Sequence, residues 1–255
     1  MHELSLSIPD EIRDIVREPN WYDHLNAIKG SLALGVFAAR QADAVRLDRK
    51  LPAAVGRLLQ RVFAQLLKED AVTLADAGPN WDGDRQVIDT IVVHHTSRVR
   101  PMALELLNAI HLLNLYVPKY QNPGEDLEII GGMPIYSGHA NNAGKQVFYG
   151  YHWLIRHDGS RERLLPDAAI GWHAGNWEVN RRSVAVCFDG DFAQGQPSRQ
   201  ALDSVAELIV GQYGAIASAS IVGHKTITKT TCPGNSFDIW GEELRALVDA
   251  NRAAA

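Results

Sequence analysis

The side chains most able to do chemistry in this chain are imidazoles and a thiol, and they occur at three places. The pair His94-His95 follows a run of β-forming residues, His224 follows a shorter run, and Cys232 lies eight residues further on. Two imidazoles and one thiolate leave one position open on a tetrahedral metal ion, which is typical of a catalytic zinc site. A structural zinc site needs a fourth protein ligand, and no further Cys lies close to these residues in the sequence.

These residues also have an ordinary explanation. The chain holds ten histidines, so two of them can be adjacent by coincidence, and a histidine at a strand end is often a satisfied surface or core residue. Spacing alone therefore leaves a metal site and a structural role as alternatives. It also does not decide between His94 and His95, because a strand buried on both faces shows no alternation of polar and apolar residues.

Predicted strands and helices alternate in the part of the chain that carries this chemistry, from residue 79 onward. Runs of β-forming residues predict strands over 87–93, 148–155, 183–188 and 220–222. Apolar residues three and four positions apart predict helices over 102–115, 198–213 and 237–248. This alternation predicts an α/β domain with one mixed central β-sheet flanked by helices.

The first part of the chain, residues 1–78, predicts helices only. Apolar stripes run from Trp21 to Leu32 and from Val55 to Leu67, and Pro9 beside Asp10 marks a first short helix. The turn cluster at 77–80 marks the boundary with the α/β part. We therefore expect an all-helical N-terminal segment of unknown role, 1–78, and a second domain, 79–255.

Composition excludes several classes of protein. The chain has 255 residues, 46% of them hydrophobic, which is ordinary for a globular protein. Its 25 Lys and Arg against 30 Asp and Glu argue against a nucleic-acid partner. No apolar run approaches the ~20 residues of a membrane span, so no membrane insertion is expected. Two cysteines cannot build a disulfide framework, and the N-terminus lacks the pattern of a Sec signal, which predicts synthesis in the cytoplasm.

Five motifs occur in order in the α/β part: VVHHTS at 92–97, GYHWLIRHDG at 150–159, GWHAGN at 171–176, NRRSVAVCFDG at 180–190 and GHKTITKTTCPG at 223–234. Together they resemble the zinc-dependent N-acetylmuramoyl-L-alanine amidases of the phage-lysozyme and peptidoglycan-recognition-protein type, the amidase type 2 family. The resemblance covers about residues 85–250 and leaves the N-terminal helices outside it. It implies a peptidoglycan-recognition-like fold and a zinc amidase catalytic domain over 79–255.

The resemblance also implies the metal ligands. The family's first ligand is the first histidine of the strand-end pair, which matches His94, and the other two ligands match His224 and Cys232. The implied cofactor is Zn²⁺, held by three protein ligands with one open position.

Two further residues are implied at the reacting centre. The family's active-site Tyr matches Tyr151, for which packing in the sheet is the alternative role. The residue two before the Cys ligand is a Lys in some phage members and a Thr in recognition-protein enzymes; here it is Thr230, which can orient water or substrate but is a poor general base. Distant recycling amidases carry a catalytic Glu where this chain has Cys187, whose apolar neighbours predict a buried thiol. The acid that protonates the leaving amine is left open.

The motif GWHAGN is implied to lie beside the substrate groove. His173 matches a family histidine at that groove, and a hydrogen bond to a loop carbonyl is its alternative role. Trp172 and Asn176 are the other expected substrate-binding residues, with ordinary packing as the alternative for Trp172.

Three functions fit these residues. The first is hydrolysis of the amide between N-acetylmuramic acid and L-alanine in peptidoglycan or a muropeptide. The second is a non-catalytic module that recognises muropeptides; such family members characteristically lose a zinc ligand, most often the Cys, and this chain keeps Cys232. The third is a zinc hydrolase that cleaves another amide. Without a Sec signal, we expect action on the cell wall after release or alternative export, or on cytoplasmic muropeptides, in a phage or a bacterial setting.

Overall fold

The computed structural model describes residues 6–40, 51–124 and 132–255. These residues form two compact units. The helical unit comprises the described residues of Met1–Pro79, Ala103–Gly138 and Gln146–Phe148, and the sheet unit comprises Asn80–Met102, His139–Lys145 and Tyr149–Ala255. No helix within the described ranges is both long enough and apolar enough to cross a membrane.

The helical unit contains the helices predicted at the start of the chain. Its helices are α1 (Asp10–Ile15), α2 (Leu25–Arg40), α3 (Leu51–Lys68), α4 (Leu104–His111) and α5 (Val117–Gln121), the last two joined by a π-helical turn over Leu112–Tyr116. Trp21 is fully buried beside the Phe63 ring, 5.1 Å away, and its indole donates to the Thr73 carbonyl at 2.9 Å. Because α4 packs against α3, this unit includes a helix that follows the first strand in the chain.

The sheet unit confirms the predicted mixed sheet. Its strands are β1 (Thr90–His95), β2 (Trp153–Ile155), β3 (Arg161–Arg163), β4 (Ser183–Phe188) and β5 (Ile221–Gly223). The strand order is β3-β2-β4-β1-β5 among the described residues, with β3 antiparallel to β2 and the other neighbours parallel. Its helices are α6 (Trp177–Asn180), α7 (Arg199–Tyr213) and α8 (Phe237–Ala254).

One face of this sheet packs on α7 and α8. Ile91 and Val93 of β1 lie in a core cluster with Val205 of α7 and Trp240 of α8. Since side chains alternate along a strand, His94 lies on the opposite face, together with Ser183, Ala185 and Cys187 of β4.

Several predicted strand boundaries were wrong. Strand β1 begins at Thr90, not at residue 87, and β5 lies one position later than predicted. His94 and His95 belong to β1 itself, not to the segment after it, and β2 begins at Trp153, not at residue 148. The reason for the short β2 lies in His152, whose Nδ1 accepts a hydrogen bond from the Ala185 amide at 3.1 Å. An imidazole there occupies the donor that a longer ladder with β4 would use. The charged edge strand β3 was not predicted, because its alternate residues face solvent.

Candidate metal centre

Three predicted ligands come together at one edge of the sheet. Strands β1 and β5 are parallel neighbours, so their carboxyl ends lie side by side, with His94 near the end of β1 and His224 directly after β5. The Lys225 amide donates to the Cys232 carbonyl at 2.7 Å, which brings the thiol back beside His224. The possible ligand atoms of these three residues all lie within 4.8 Å of one another.

The spacing of the donor atoms fits a tetrahedral metal ion. Cys232 Sγ lies 3.7 Å from His94 Nδ1. Bond lengths of about 2.3 Å to sulfur and 2.05 Å to nitrogen give a tetrahedral S···N edge of about 3.6 Å. The three side chains can therefore hold a zinc-sized ion without large movement.

Both histidines direct their other ring nitrogen toward protein partners. His94 Nε2 lies 3.0 Å from His173 Nδ1. His224 Nε2 lies 3.2 Å from the Ala174 carbonyl oxygen and 3.0 Å from Thr228 Oγ1. This arrangement assigns Nδ1 as the metal-binding atom of both residues, and a partner on the second nitrogen is what metal-bound histidines normally have.

His95 points away from the cluster. Its ring stacks on Phe192 at 6.1 Å, and its Nδ1 accepts a hydrogen bond from the Phe192 amide at 3.0 Å. Burial lowers the pKa of His95, which keeps the ring neutral. Only its backbone touches the site, where its amide donates to Cys232 Sγ at 3.4 Å.

Burial controls the protonation of the thiol and of the second histidine. It raises the pKa of Cys232 to about 12, while the hydrogen bond from the His95 amide acts in the opposite direction. It lowers the pKa of His224, so this imidazole is neutral, as a ligand must be. A divalent cation would favour the Cys232 thiolate, because a coordinating thiol loses its proton.

Tyr151 lies beside the cluster, with its ring 5.0 Å from the ring of His94. Burial raises the pKa of its phenol well above the usual value, and the thiols of Cys187 and Cys232 raise it further. The hydroxyl therefore keeps its proton and can donate a hydrogen bond. Cys187 is fully buried, as predicted, and its thiol is a hydrogen-bonding neighbour of Tyr151.

Two glycines set the position of Tyr151. A Cβ on Gly171 would lie 1.9 Å from the Gly150 carbonyl oxygen, and a Cβ on Gly150 would lie 2.5 Å from the Trp172 carbonyl oxygen. The two backbones therefore touch at a distance that no side chain permits. This contact holds the segment before β2 against the segment that carries His173.

The predicted substrate-binding residues occupy different environments. His173 is buried, and its Nε2 lies 3.2 Å from Ser183 Oγ while its Nδ1 faces His94. Asn176 is exposed and caps α6, accepting from the Val179 amide at 3.2 Å. Trp172 is half-buried. Of these three residues, His173 directly contacts a candidate metal ligand, His94.

Trp172 belongs to a group of half-buried tryptophans that the sequence did not predict as a group. The Trp81 ring lies 6.2 Å from that of Trp172 and 6.1 Å from that of Trp177. Trp81 lies more than ninety positions earlier in the chain, so no local pattern could have linked it to the other two.

The loop that carries Cys232 contains two threonines with different roles. Thr230, the predicted catalytic residue, is exposed, and its Oγ1 accepts from the Cys232 amide at 3.2 Å. Thr228 was missed, although its Oγ1 lies 3.0 Å from His224 Nε2. Thr228 lies four residues after His224, and its amide donates to the His224 carbonyl at 3.2 Å, a contact that the sequence did not indicate.

Comparison with known proteins gives a family and several relatives. The family model described as N-acetylmuramoyl-L-alanine amidase matches residues 84–235. The chain is 30% identical over 112 residues to peptidoglycan-recognition protein SD of Drosophila melanogaster, a match that spans 39% of this chain and 59% of that protein. It is 30% identical over 114 residues to the endolysin of Escherichia phage T7, covering 40% of this chain and 70% of the endolysin.

Solved structures include a similar chain at lower identity. The endolysin amidase LysCS from Clostridium intestinale is 25% identical, and the match covers 70% of this chain and 93% of that one with a TM-score of 0.46.

Proposed function

The chain belongs to the N-acetylmuramoyl-L-alanine amidase family, whose model covers residues 84–235, and we propose that it is a zinc-dependent amidase of this family. The reaction proposed is hydrolysis of the amide between N-acetylmuramic acid and L-alanine in peptidoglycan or a muropeptide. The observation that carries the proposal is the complete set of His94, His224 and Cys232, with ligand atoms within 4.8 Å of one another. A recognition module that only binds muropeptides has no need of this set.

Zinc is the metal proposed, because a donor set of two imidazoles and one thiolate suits it better than magnesium or calcium. When bound, zinc supplies a Lewis acid for the amide carbonyl and lowers the pKa of water to ~7. The buried ring of His94 and the neutral ring of His224 are preset to bind it, because their Nε2 atoms already have protein partners.

Tyr151 is proposed to stabilise the oxyanion that forms at the amide carbon. Its phenol keeps its proton because burial raises its pKa, so it can donate a hydrogen bond as negative charge develops. Thr230 is proposed to orient the substrate or the attacking water. Its Oγ1 accepts from the Cys232 amide, so its own hydroxyl hydrogen can be donated outward.

Substrate binding is proposed for the segment that carries Trp172 and Asn176. The three neighbouring tryptophans, including Trp81 and Trp177, offer apolar ring faces that are only half-buried. Aromatic rings with one exposed face suit the apolar faces of sugar rings and the aliphatic parts of a stem peptide.

The experiment that tests the function combines metal analysis with product analysis. The purified chain should contain about one zinc and should release free stem peptides with an L-alanine N-terminus from purified sacculi. Cys232→Ser should lose most of the zinc and the release, whereas Cys187→Ser, the other thiol, should keep the zinc. Binding to sacculi without any release by the zinc-loaded chain would overturn the proposal in favour of a recognition module. Release of a different product would indicate a hydrolase of another amide.

A further inference from the structure

His173 and Ser183 lie behind the metal cluster in one hydrogen-bonded chain. His94 Nε2 is 3.0 Å from His173 Nδ1, and His173 Nε2 is 3.2 Å from Ser183 Oγ. All three residues are buried, and Ser183 has no exposed surface. Ser183 is the first residue of β4 and pairs with Thr90, which lies four positions before His94 on the same face of the sheet. The imidazole of His173 spans the distance between the Ser183 and His94 side chains.

From this series of hydrogen bonds, we propose that His173 and Ser183 are positioning residues of the candidate metal site, which set the tautomer and orientation of His94. The inference rests on the proposed zinc ligation by His94. It gives His173 a different role from the substrate contact expected from the family resemblance, because both of its ring nitrogens already face protein atoms.

The positions of the protons explain how these hydrogen bonds affect metal binding by His94. A single proton lies between His94 Nε2 and His173 Nδ1. If it belongs to His94, the lone pair of His94 Nδ1 is available to a metal, and His173 must carry its own proton on Nε2. Ser183 Oγ can accept a hydrogen bond from that N–H, which completes the arrangement that leaves His94 ready to bind. The opposite tautomers would put a proton on His94 Nδ1, the atom 3.7 Å from Cys232 Sγ.

The neighbouring residue does the same for the second histidine. The carbonyl of Ala174 accepts from His224 Nε2, so two consecutive residues hold both imidazole ligands. The amides of His173 and Ala174 both donate to Asn180 Oδ1, at 3.3 and 2.8 Å. The buried side chain of Asn180 therefore fixes the backbone of the two residues that orient His94 and His224.

A single arginine ties the two ends of this arrangement together. Arg85 Nη1 donates to the carbonyl of Asn180 at 3.0 Å and to the carbonyl of Ser183 at 2.9 Å. Arg85 therefore anchors both Ser183, which bonds to His173 Nε2, and Asn180, which holds the His173 backbone. Partners of this kind outside the ligand shell typically change metal affinity 10- to 100-fold when they are removed, by the order of magnitude known for metal sites.

The test compares two buried serines in the full-length protein. Ser183→Ala removes the hydroxyl that bonds to His173 Nε2. Ser204→Ala removes a hydroxyl of α7 that donates to the Gly159 carbonyl at 2.6 Å and that makes no contact with the candidate ligands. Zinc affinity, measured by competition with a chelator, should fall about tenfold or more in Ser183→Ala and stay within about twofold in Ser204→Ala. The melting temperature of the metal-free protein should fall by similar amounts in both.

A second pair of variants keeps the proposal testable if Ser183→Ala does not fold. His173→Asn retains an oxygen acceptor close to the position of Nδ1, whereas His173→Phe removes it. Zinc affinity should decrease in the order wild type, His173→Asn, His173→Phe. A direct substrate contact would instead leave zinc affinity unchanged and raise KM.

The outcomes separate this inference from the proposed function. Tight zinc binding by the wild type with unchanged affinity in Ser183→Ala and His173→Phe overturns the positioning role and leaves the amidase proposal intact. A wild-type protein that binds no zinc overturns both.

Discussion

The helical unit and the sheet unit differ in what they bury. Both contain fully buried tryptophans, Trp21 in the first and Trp240 in the second. Among the described residues, however, nine of the eleven buried polar or charged side chains lie in the sheet unit, and only His111 and Ser137 lie in the helical unit.

A buried polar side chain costs free energy unless it is hydrogen-bonded, so such groups accumulate where they serve a purpose. In the sheet unit, four of them form one connected set of hydrogen bonds: His94, His173, Asn180 and Ser183. The helical unit instead buries apolar stripes. The candidate metal ligands and the packed helices of the first part of the chain therefore belong to separate units, and the following variants test that separation.

The largest effect is expected from the two adjacent histidines of β1. His94→Ala should lose the metal and all measurable turnover, because two remaining ligands hold zinc weakly. His95→Ala should keep about one zinc, since its ring lies on Phe192 and only its backbone amide reaches Cys232. Elemental analysis of both variants decides the point, and the opposite pattern of zinc loss would show that the assignment of the sheet faces is wrong.

A smaller loss is expected when one hydrogen bond is removed from the reacting centre. Tyr151→Phe keeps the ring beside His94 and removes the donor, so turnover should fall by ~10²–10³, or roughly 3–4 kcal/mol in the barrier. Zinc content should not change, and KM should change less than kcat. Turnover within about threefold of wild type at equal zinc occupancy would remove Tyr151 from the catalytic residues.

Each unit also contains a buried neutral histidine that should respond to acid. Burial lowers the pKa of His152 in the sheet unit to about 3 and that of His111 in the helical unit to about 4. The unfolded chain takes up a proton near pH 6.5 and the folded chain does not, so stability is complete above that pH and falls as the pH drops toward the folded values. Each group should contribute a slope of about 1.4 kcal/mol per pH unit.

Variants of these two histidines separate the contributions of the units. His152→Gln and His111→Gln should each flatten the dependence of the free energy of unfolding on pH between 6.5 and 4, as measured by denaturant titration. An unchanged slope in either variant would mean that the corresponding histidine is not neutral in the folded protein.

The smallest effect on chemistry is expected from removing the first part of the chain. A variant that begins at Pro79 should keep about one zinc and hydrolysis of a soluble muropeptide, because all three candidate ligands lie after residue 78. It should be less soluble, since α4 loses α3, against which it packs. A truncated chain that folds and binds zinc but shows no turnover would contradict the separation of the two parts.

Much of the fold and the identity of the candidate metal ligands could be predicted from the sequence. The α/β alternation, the strand at 183–188 and the helices α1, α3 and α7 follow from local patterns of apolar residues and caps, which act within a few positions. The spacing of eight positions from His224 to Cys232, read together with the other four motifs, indicated the family and the candidate ligands.

Other features depended on contacts between distant residues. Both faces of β1 are buried, so its sequence has no alternation that could place His94 on the metal side and His95 in the core. The short β2 depends on a hydrogen bond between the His152 ring and the amide of Ala185, 33 positions apart. The pattern of residues near 148–155 could not contain that information.

Sequence alone therefore determined which residue types carry the chemistry and the elements that hold them. Only the tertiary structure decided which residues form hydrogen bonds to the candidate ligands and their supporting loop. His173 reaches His94 across 79 positions of sequence, and Ser183 and Asn180 act on the site through backbone and side-chain bonds within that arrangement. The physical reason is that a hydrogen bond depends on distance and direction in space, which a one-dimensional pattern specifies only when the partners are close along the chain.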